Sequence, residues 1–356
     1  MARAIAWGAK GHVADMIVHD GPKRPAFPLA LIHPLGPLFR HLPLSLRRHL
    51  LYLRAYQRWG NFRRPTLWSE KVAWRVLNDE RTILKMGADK LASKEFMRGL
   101  IAKSETTPKC SIPETYWVGT SVEELKEYEH QLPSRWVLKP NHSCGRVVQV
   151  DSAQEPIDWK RLEQISSRWL TPDEEVTVMG HQAYRGARQL IFAEQRIGDL
   201  DTPPNDIRVF GFRNPDGGTS VWEIQESTGS HTSAFTNYRF NDRYVRKERY
   251  HFRDGAANST TLIEASSDQL RASLLDIGRE ALALFDHVRV DFYIEQGALW
   301  FGELAVYPGA GLVVYGINID RERGALWQLP DLNAPDPREA EWRALLQGVP
   351  KGTLQR

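Results

Sequence analysis

The sequence predicts an α+β protein in which helices come first and antiparallel hairpins dominate the rest. Three stretches carry that expectation. "WVLKPNHSCGRVVQV" (136–150) sets two apolar runs about a small polar turn. "NDIRVFGFRN" and "GTSVWEIQES" flank a Pro-Asp-Gly-Gly turn, Pro215 to Gly218. "HVRVDFYIEQGALWFGELAVYPGAG" (287–311) reads as two strands about Glu-Gln-Gly. Apolar alternation broken by turn residues is the signature of a hairpin. A chain of 356 residues is long enough for two domains or one large fold with subdomains.

The elements follow in order. Residues 1–43 are rich in Pro and Gly, lack a period and read as an irregular arm. "PLSLRRHLLYLRAYQRWG" (43–60) is a basic amphipathic helix with Leu46, Leu50, Leu53 and Tyr56 at helical spacing. Residues 66–87 read as a second helix broken at Gly87, and 88–104 as a third that Asp89 can cap. From Ile112 the period changes. "ETYWVGT" is strand-like, 121–132 a short capped helix and 156–170 helical, and 188–198 is a strand running into a loop. Residues 226–260 form a long polar and basic segment, 267–285 a strong amphipathic helix, and 318–356 a closing helix with a loose end. There is no internal repeat.

Several classes drop out. No run of 18 apolar residues occurs, so no membrane span is expected. Cys110 and Cys144 make neither a disulfide framework nor a tetrahedral metal set. The start has no secretory pattern, and a cytoplasmic location is the expectation. The net charge of +3 divides into +10 over residues 1–75 and −7 beyond. The basic block suggests an anionic surface or ligand, including peripheral membrane contact, although packing of 43–60 on the body is favoured. G-x-x-x-x-G-K-[ST], a strand-borne G-x-G-x-x-G, H-E-x-x-H and G-x-S-x-G are all absent. Without a His-Arg-Asp loop, "VDFY" is not a kinase metal element.

Three features remain. Two cations, Lys94 and Lys139, form the first. The small-residue turn 141–145 is the second, because a glycine-containing turn lets backbone N–H groups approach phosphate. The third is a carboxylate pair, Asp291 and Glu303. Pairing about residue 297 sets them opposite each other on one face, where they repel unless a cation intervenes. Mg²⁺ takes one or two carboxylates together with phosphate oxygens and water. The competing reading pairs each acid with a nearby base such as Arg289.

The order Lys94, Lys139 with its hairpin, Glu194 in "IFAEQRI", Arg289-x-Asp291 and Glu303 resembles the ATP-grasp superfamily. "LWSEKVAW", "ADKLASKEFM", "WVLKPNHSCG", "FAEQRI", "DIRVFGF" and the 287–311 hairpin resemble its TupA-like branch, named for teichuronopeptide biosynthesis. The resemblance spans roughly residues 66–315. It implies an ATP-grasp fold: two α+β subdomains gripping ATP between antiparallel sheets, after an N-terminal helical region. The arm and helices would be 1–87, the small subdomain with its phosphate lid 88–190, the large subdomain with its Mg²⁺ site 191–316 and a closing segment 317–356.

By the same resemblance, Lys94 and Lys139 contact the ATP phosphates, and Asn141, His142, Ser143, Cys144 and Gly145 form the lid. Glu194, Gln195 and the backbone through Ile197 hold adenine, and Asp206 and Arg208 reach ribose or phosphate. Asp291 and Glu303 bind Mg²⁺, and Arg289 steadies the acyl-phosphate or tetrahedral intermediate. Two residues depart from the pattern. Ala305 stands where many relatives carry an asparagine metal ligand, with Asn318 a conceivable substitute, and Cys144 replaces a small hydroxyl or glycine. The implied activity is an ATP-dependent carboxylate–amine ligase, in natural-product or cell-envelope polymer biosynthesis. The alternatives are an ATP-dependent phosphotransferase acting on a hydroxyl and a non-catalytic binding protein. In 226–260, Arg239, Arg243, Arg246, Lys247, Arg249 and Arg253 interleave with tyrosines and suit an anionic substrate, while nucleic acid is disfavoured.

Overall fold

The computed structural model describes residues 18–20, 39–170, 176, 178–198, 204–214, 216–228, 236–247 and 260–348. Most of the expected arm, the loose C-terminal end, Arg249 and Arg253 lie outside them.

After strand β1 (Val18–Asp20) comes helix α1 (Leu44–Tyr56). Its buried stripe is Arg48, Leu51 and Tyr52 rather than the expected leucine row, and Leu46 and Leu53 are 38% and 39% exposed. The helix packs on the body through arginines: Arg48 donates to the Ala310 carbonyl at 2.8 Å and Arg47 to that of Val178 at 3.1 Å. The expected second helix is two, α2 (Trp68–Asn78) and α3 (Thr82–Ala88). The break falls at Asp79–Arg81, where Asp79 leaves the helix to pair with Arg81. Gly87 continues α3, and a Cβ there would meet Val306 at 2.8 Å, so it permits close packing instead of ending the helix. Helix α4 (Lys90–Lys103) starts as expected, with the Asp89 carboxylate accepting from the Ala92 N–H at 2.8 Å.

Strand β2 (Thr115–Gly119) leads through the single-turn helix α5 (Val122–Lys126), much shorter than 121–132, to β3 (Arg135–Pro140) and β4 (Arg146–Asp151). Helices α6 (Trp159–Trp169) and α7 (Gln182–Gly186) precede β5 (Ile191–Gln195). These strands make one antiparallel sheet in the order β1-β4-β3-β5-β2. A subdomain boundary at 191 therefore falls too early, because β5 is hydrogen-bonded between β3 and β2. The change of sheet comes between Gln195 and Asn205.

The second sheet is built from β6 (Asn205–Arg213), β7 (Thr219–Thr228), β8 (Thr236–Phe240), β9 (His287–Glu295) and β10 (Ala298–Ala305). Its antiparallel order is β10-β9-β6-β7-β8. Between β8 and β9 come α8 (Leu262–Ala265) and α9 (Asp268–Leu282). Ile207, Val209, Val290, Phe292 and Phe301 share one core with Leu274 and Ile277 of α9. Alternation sends the next residues, Arg208, Phe210, Arg289 and Asp291, to the opposite face. The tail holds two helices, α10 (Ile317–Leu326) and α11 (Glu339–Gln347), where one was expected. Among the described residues no helix is long and apolar enough to cross a membrane.

Candidate active site

The β9–β10 hairpin decides which side chains meet. Its turn is Gln296–Gly297, both with positive φ (51° and 74°), the two-residue form that matches strand twist. That turn pairs Ala298 with Glu295 and Phe301 with Phe292, and continued unbroken it would bring Gly302 opposite Asp291. Glu303 would then point into the core. A bulge between Phe301 and Glu303 shifts the register by one and sets Glu303 opposite Asp291. The expected juxtaposition is present, produced by the bulge and not by a turn centred on Gly297. Ala305 falls opposite Arg289, so the place of a second amide ligand holds a methyl group. Asn318 is exposed on α10 and accepts from Arg321 at 3.5 Å.

On the first sheet the lysines converge on one acid. Lys94 Nζ donates to Glu194 Oε2 at 2.8 Å and to Thr115 Oγ1 at 2.8 Å, and Lys139 Nζ donates to Glu194 Oε1 at 2.5 Å. Burial alone would raise the Glu194 pKa, but Lys139 and then Lys94 outweigh it and hold the group at about 2. Burial lowers Lys94 in turn, against the pull of Glu194. One carboxylate thus serves two ammonium groups and leaves one positive charge over.

The 141–145 turn is more anchored than a lid of small residues suggests. Asn141 is fully buried; its Oδ1 accepts from the Leu91 N–H at 2.9 Å and its Nδ2 donates to the Arg188 carbonyl at 3.0 Å. His142 is bonded to the Trp169 carbonyl at 2.8 Å. Ser143 is also buried, Cys144 half-buried, and Gly145, with φ +67°, is exposed at the tip. Only Cys144 and Gly145 have the exposure of a cover. Gln195 ends β5 and Ile197 follows it, both half-buried, and Gln195 Oε1 accepts from the Glu114 N–H at 3.2 Å.

On the second sheet Arg208 lies opposite Asp291 and pairs with Asp206 at 2.8 Å. Arg289 grips Asp291 with two bonds, 2.6 and 2.5 Å, and its guanidinium stands 3.8 Å from Glu303. Burial, with Glu303 adding to it, pushes Asp291 above the ordinary carboxylate value despite Arg289 and Arg208. Glu303 is held below its ordinary value because Lys90 and Arg289 outweigh burial. Each acid has its own cation here, Arg289 at Asp291 and Lys90 at Glu303, and a divalent cation would take their place between the two. Among the described residues no group of three metal-ligating side chains exists. The donor set therefore suits a Mg²⁺ ion shared with phosphate oxygens, and not one held by protein alone. Such an ion would compete with Arg289 for Asp291.

Lys90 is a site residue that sequence reading passed over. Its Nζ donates to the Ser143 carbonyl at 2.7 Å and to Glu303 at 3.2 Å, so it ties the turn of the first sheet to the carboxylates of the second. The lysine spacing of four in "ADKLASKEF" was its only signal. A cavity of about 470 Å³ at the Arg213–Asn214 end of β6 includes none of these residues.

Two antiparallel sheets with a cation cluster on one and opposed carboxylates on the other thus follow in one chain order. Residues 70–327 match the family described as TupA-like ATPgrasp. This chain belongs to that family. The TupA-like match covers well over half of the chain, and its fold is the α+β ATP-grasp fold with N-terminal helices. No curated protein matches. Among solved structures the chain is similar to N5-carboxyaminoimidazole synthase from Aspergillus clavatus with ADP and 5-aminoimidazole ribonucleotide, at 13% identity over 70% of this chain and 54% of that one, TM-score 0.38. It is similar to an L-amino acid ligase from Bacillus licheniformis at 15%, over 67% and 48%, TM-score 0.36. D-alanyl-alanine synthetase A from Vibrio cholerae gives 16% identity, over 73% and 64%, TM-score 0.35. The chain spans about half to two-thirds of the length of these structures.

Proposed function

We propose that this TupA-like chain is an ATP-dependent carboxylate–amine ligase. One observation carries the reading: the excess cation at Glu194 and the opposed carboxylates Asp291 and Glu303 lie on two sheets joined through Lys90. A triphosphate and a divalent cation together complete both halves. In this reading Lys94 and Lys139 bind the phosphates, Cys144 and Gly145 cover them, and Glu194, Gln195 and Ile197 border the base. Asp206 and Arg208 reach ribose or phosphate. Asp291 and Glu303 hold Mg²⁺, which when bound neutralises phosphate charge.

A substrate carboxylate oxygen attacks the γ-phosphorus, and ADP leaves. The amine nitrogen then attacks the acyl carbon of the acyl-phosphate, phosphate leaves, and the nitrogen loses a proton to give the amide. Arg289 stands beside Asp291, where it can stabilise oxyanion charge in both steps. The Cys144–Gly145 tip excludes water from the acyl-phosphate. A location in the cytoplasm and a role in natural-product or envelope-polymer synthesis accord with this chemistry.

The test is amine-dependent ADP release from panels of carboxylates and amines, with mass spectrometry of the product. An amide of the expected mass, lost in Asp291→Asn with the fold intact, supports the reading. ADP release that needs a hydroxyl compound and yields no amide assigns a phosphotransferase instead. Failure to bind Mg-ATP in calorimetry makes it a non-catalytic binding protein, the reading that Ala305 favours.

A further inference from the structure

A second charged cluster lies on the same face of the second sheet, beyond Arg289. At its centre is Glu223 of β7, fully buried. Arg323 of α10 reaches it at 3.3 Å, and Lys247 and Arg239 each at 3.9 Å. Gln225 donates to the same carboxylate. Arg323 is fully buried inside aromatic rings: its guanidinium carbon is 4.1 Å from the Tyr315 centroid, 4.2 Å from Trp222, 4.8 Å from Phe210 and 5.1 Å from Trp68. Lys247 sits 3.9 Å over Trp222 and donates to its carbonyl at 2.7 Å.

Among the described residues the charges of Arg323, Lys247 and Glu223 do not balance: two bases face one acid. The next acid among the described residues that Lys247 feels is Glu322, which is exposed. Arg323 Nε and Nη1 are buried without a hydrogen-bond partner among the described residues, and so is Glu223 Oε2. Aromatic faces attract a guanidinium, but they do not accept N–H bonds in its plane. Buried excess charge is costly unless an ion compensates it.

The cluster also lies close to the reacting centre. The Phe210 ring has the Arg323 guanidinium at 4.8 Å and that of Arg289 at 5.9 Å.

We infer that Arg323, Lys247 and Arg239 form a subsite for a carboxylate or phosphate group, with Trp222 and Tyr315 as its walls. The group belongs to a substrate whose reacting end lies at Arg289, so the favoured substrate carries a second anionic group one ring's width from the first. That role rests on the ligase reading, whereas the anion binding itself does not.

The test needs no turnover. Succinate, its neutral diamide and inorganic phosphate are titrated by calorimetry into the full chain carrying Lys139→Gln, which removes the excess charge of the first sheet, alone and with Lys247→Gln or Arg239→Gln added. The expected result is saturable binding of succinate or phosphate, one per chain, and none of the diamide. Lys247→Gln weakens it at least tenfold. The tighter of the two ions tells carboxylate from phosphate. Lys247 is partly exposed, so its variant tests the site even if Arg323→Gln fails to fold. No saturable binding, or binding unchanged by both Lys247→Gln and Arg239→Gln, overturns the inference. If the anion binds but no amide forms in the ligase assay, the subsite stands and the ligase reading fails.

Discussion

Two groups of cations in this molecule, each with one buried and one half-buried member, look alike and are balanced differently. Behind the second sheet Arg75 and Arg81 meet Asp79 and Asp286, two acids for two bases. Trp327 Nε1 adds a bond to Asp286 at 2.7 Å, and Arg75 also donates to the His287 and Val306 carbonyls at 2.8 and 2.9 Å. On the first sheet Lys94 and Lys139 share one acid at ion-pair distance among the described residues, Glu194. The closed set joins α2 and α3 to β9 and the start of β10's exit. The open set is left for an anion. Charge balance separates scaffold from site here better than burial does, since Asp286 and Glu194 are both buried.

Breaking the closed set has the largest expected effect. Asp286→Asn leaves the buried Arg75 and the half-buried Arg81 with Asp79 alone between them and costs about 3–5 kcal/mol in urea unfolding. A cost below about 1 kcal/mol would remove the distinction. Mg-ATP does not restore the lost stability selectively, because the damage is remote from the nucleotide.

Acid acts on the same scaffold. His287 Nε2 accepts from Trp68 at 2.9 Å while Nδ1 bonds to the Gly211 carbonyl at 2.8 Å, so it is buried neutral. Burial lowers His287 and His181 to about 3 from 6.5. Folded pKa values below the unfolded value mean that stability is complete above pH 6.5 and lost as pH falls toward 3. The loss is about 2 kcal/mol per histidine by pH 5. The urea midpoint should therefore start to fall near pH 6.5, where carboxylates alone would hold it level to about 4.5.

Glu194→Gln tests the open set. It leaves Lys94 without its acid and costs about 2 kcal/mol. Here Mg-ATP should raise the melting temperature more than in the wild type, since phosphate replaces the missing charge. An equal or smaller rise would make Glu194 scaffold. Smallest of all, Cys144→Ser should change the Kd for Mg-ATP less than about twofold, or ~0.4 kcal/mol. A larger change would give the thiol a role that its half-buried place in the turn does not explain.

Much of this was legible in the sequence, and for local reasons. Hairpins follow from alternation and turn residues, so the β9–β10 strands and the Lys139 turn could be read directly, whereas the Asp291–Glu303 pairing was reached without the bulge that produces it. What escaped depends on distant partners. The α2–α3 break looked helical because the pull of Asp286 on Arg81, 205 residues away, leaves no local trace. Lys90 and Arg323 were passed over because their partners Glu303 and Glu223 lie 213 and 100 residues off. Asn141 and His142 were read as lid because small polar residues in a turn look alike whether they cover a ligand or anchor the loop.

The bulge at Gly302 makes the β9–β10 hairpin a piece with two reading frames. Near its turn, Phe292 and Phe301 point into the core under one register. Past the bulge, Asp291 and Glu303 meet under the other. Deleting Gly302 would close the ladder and keep Glu303 opposite Asp291, whereas pairing Gly302 itself with Asp291 would send the carboxylate of Glu303 inward. In this hairpin the pairing frame carries information as much as residue identity does, and an alignment gap at Gly302 would mark a relative whose carboxylates meet across an unbulged ladder.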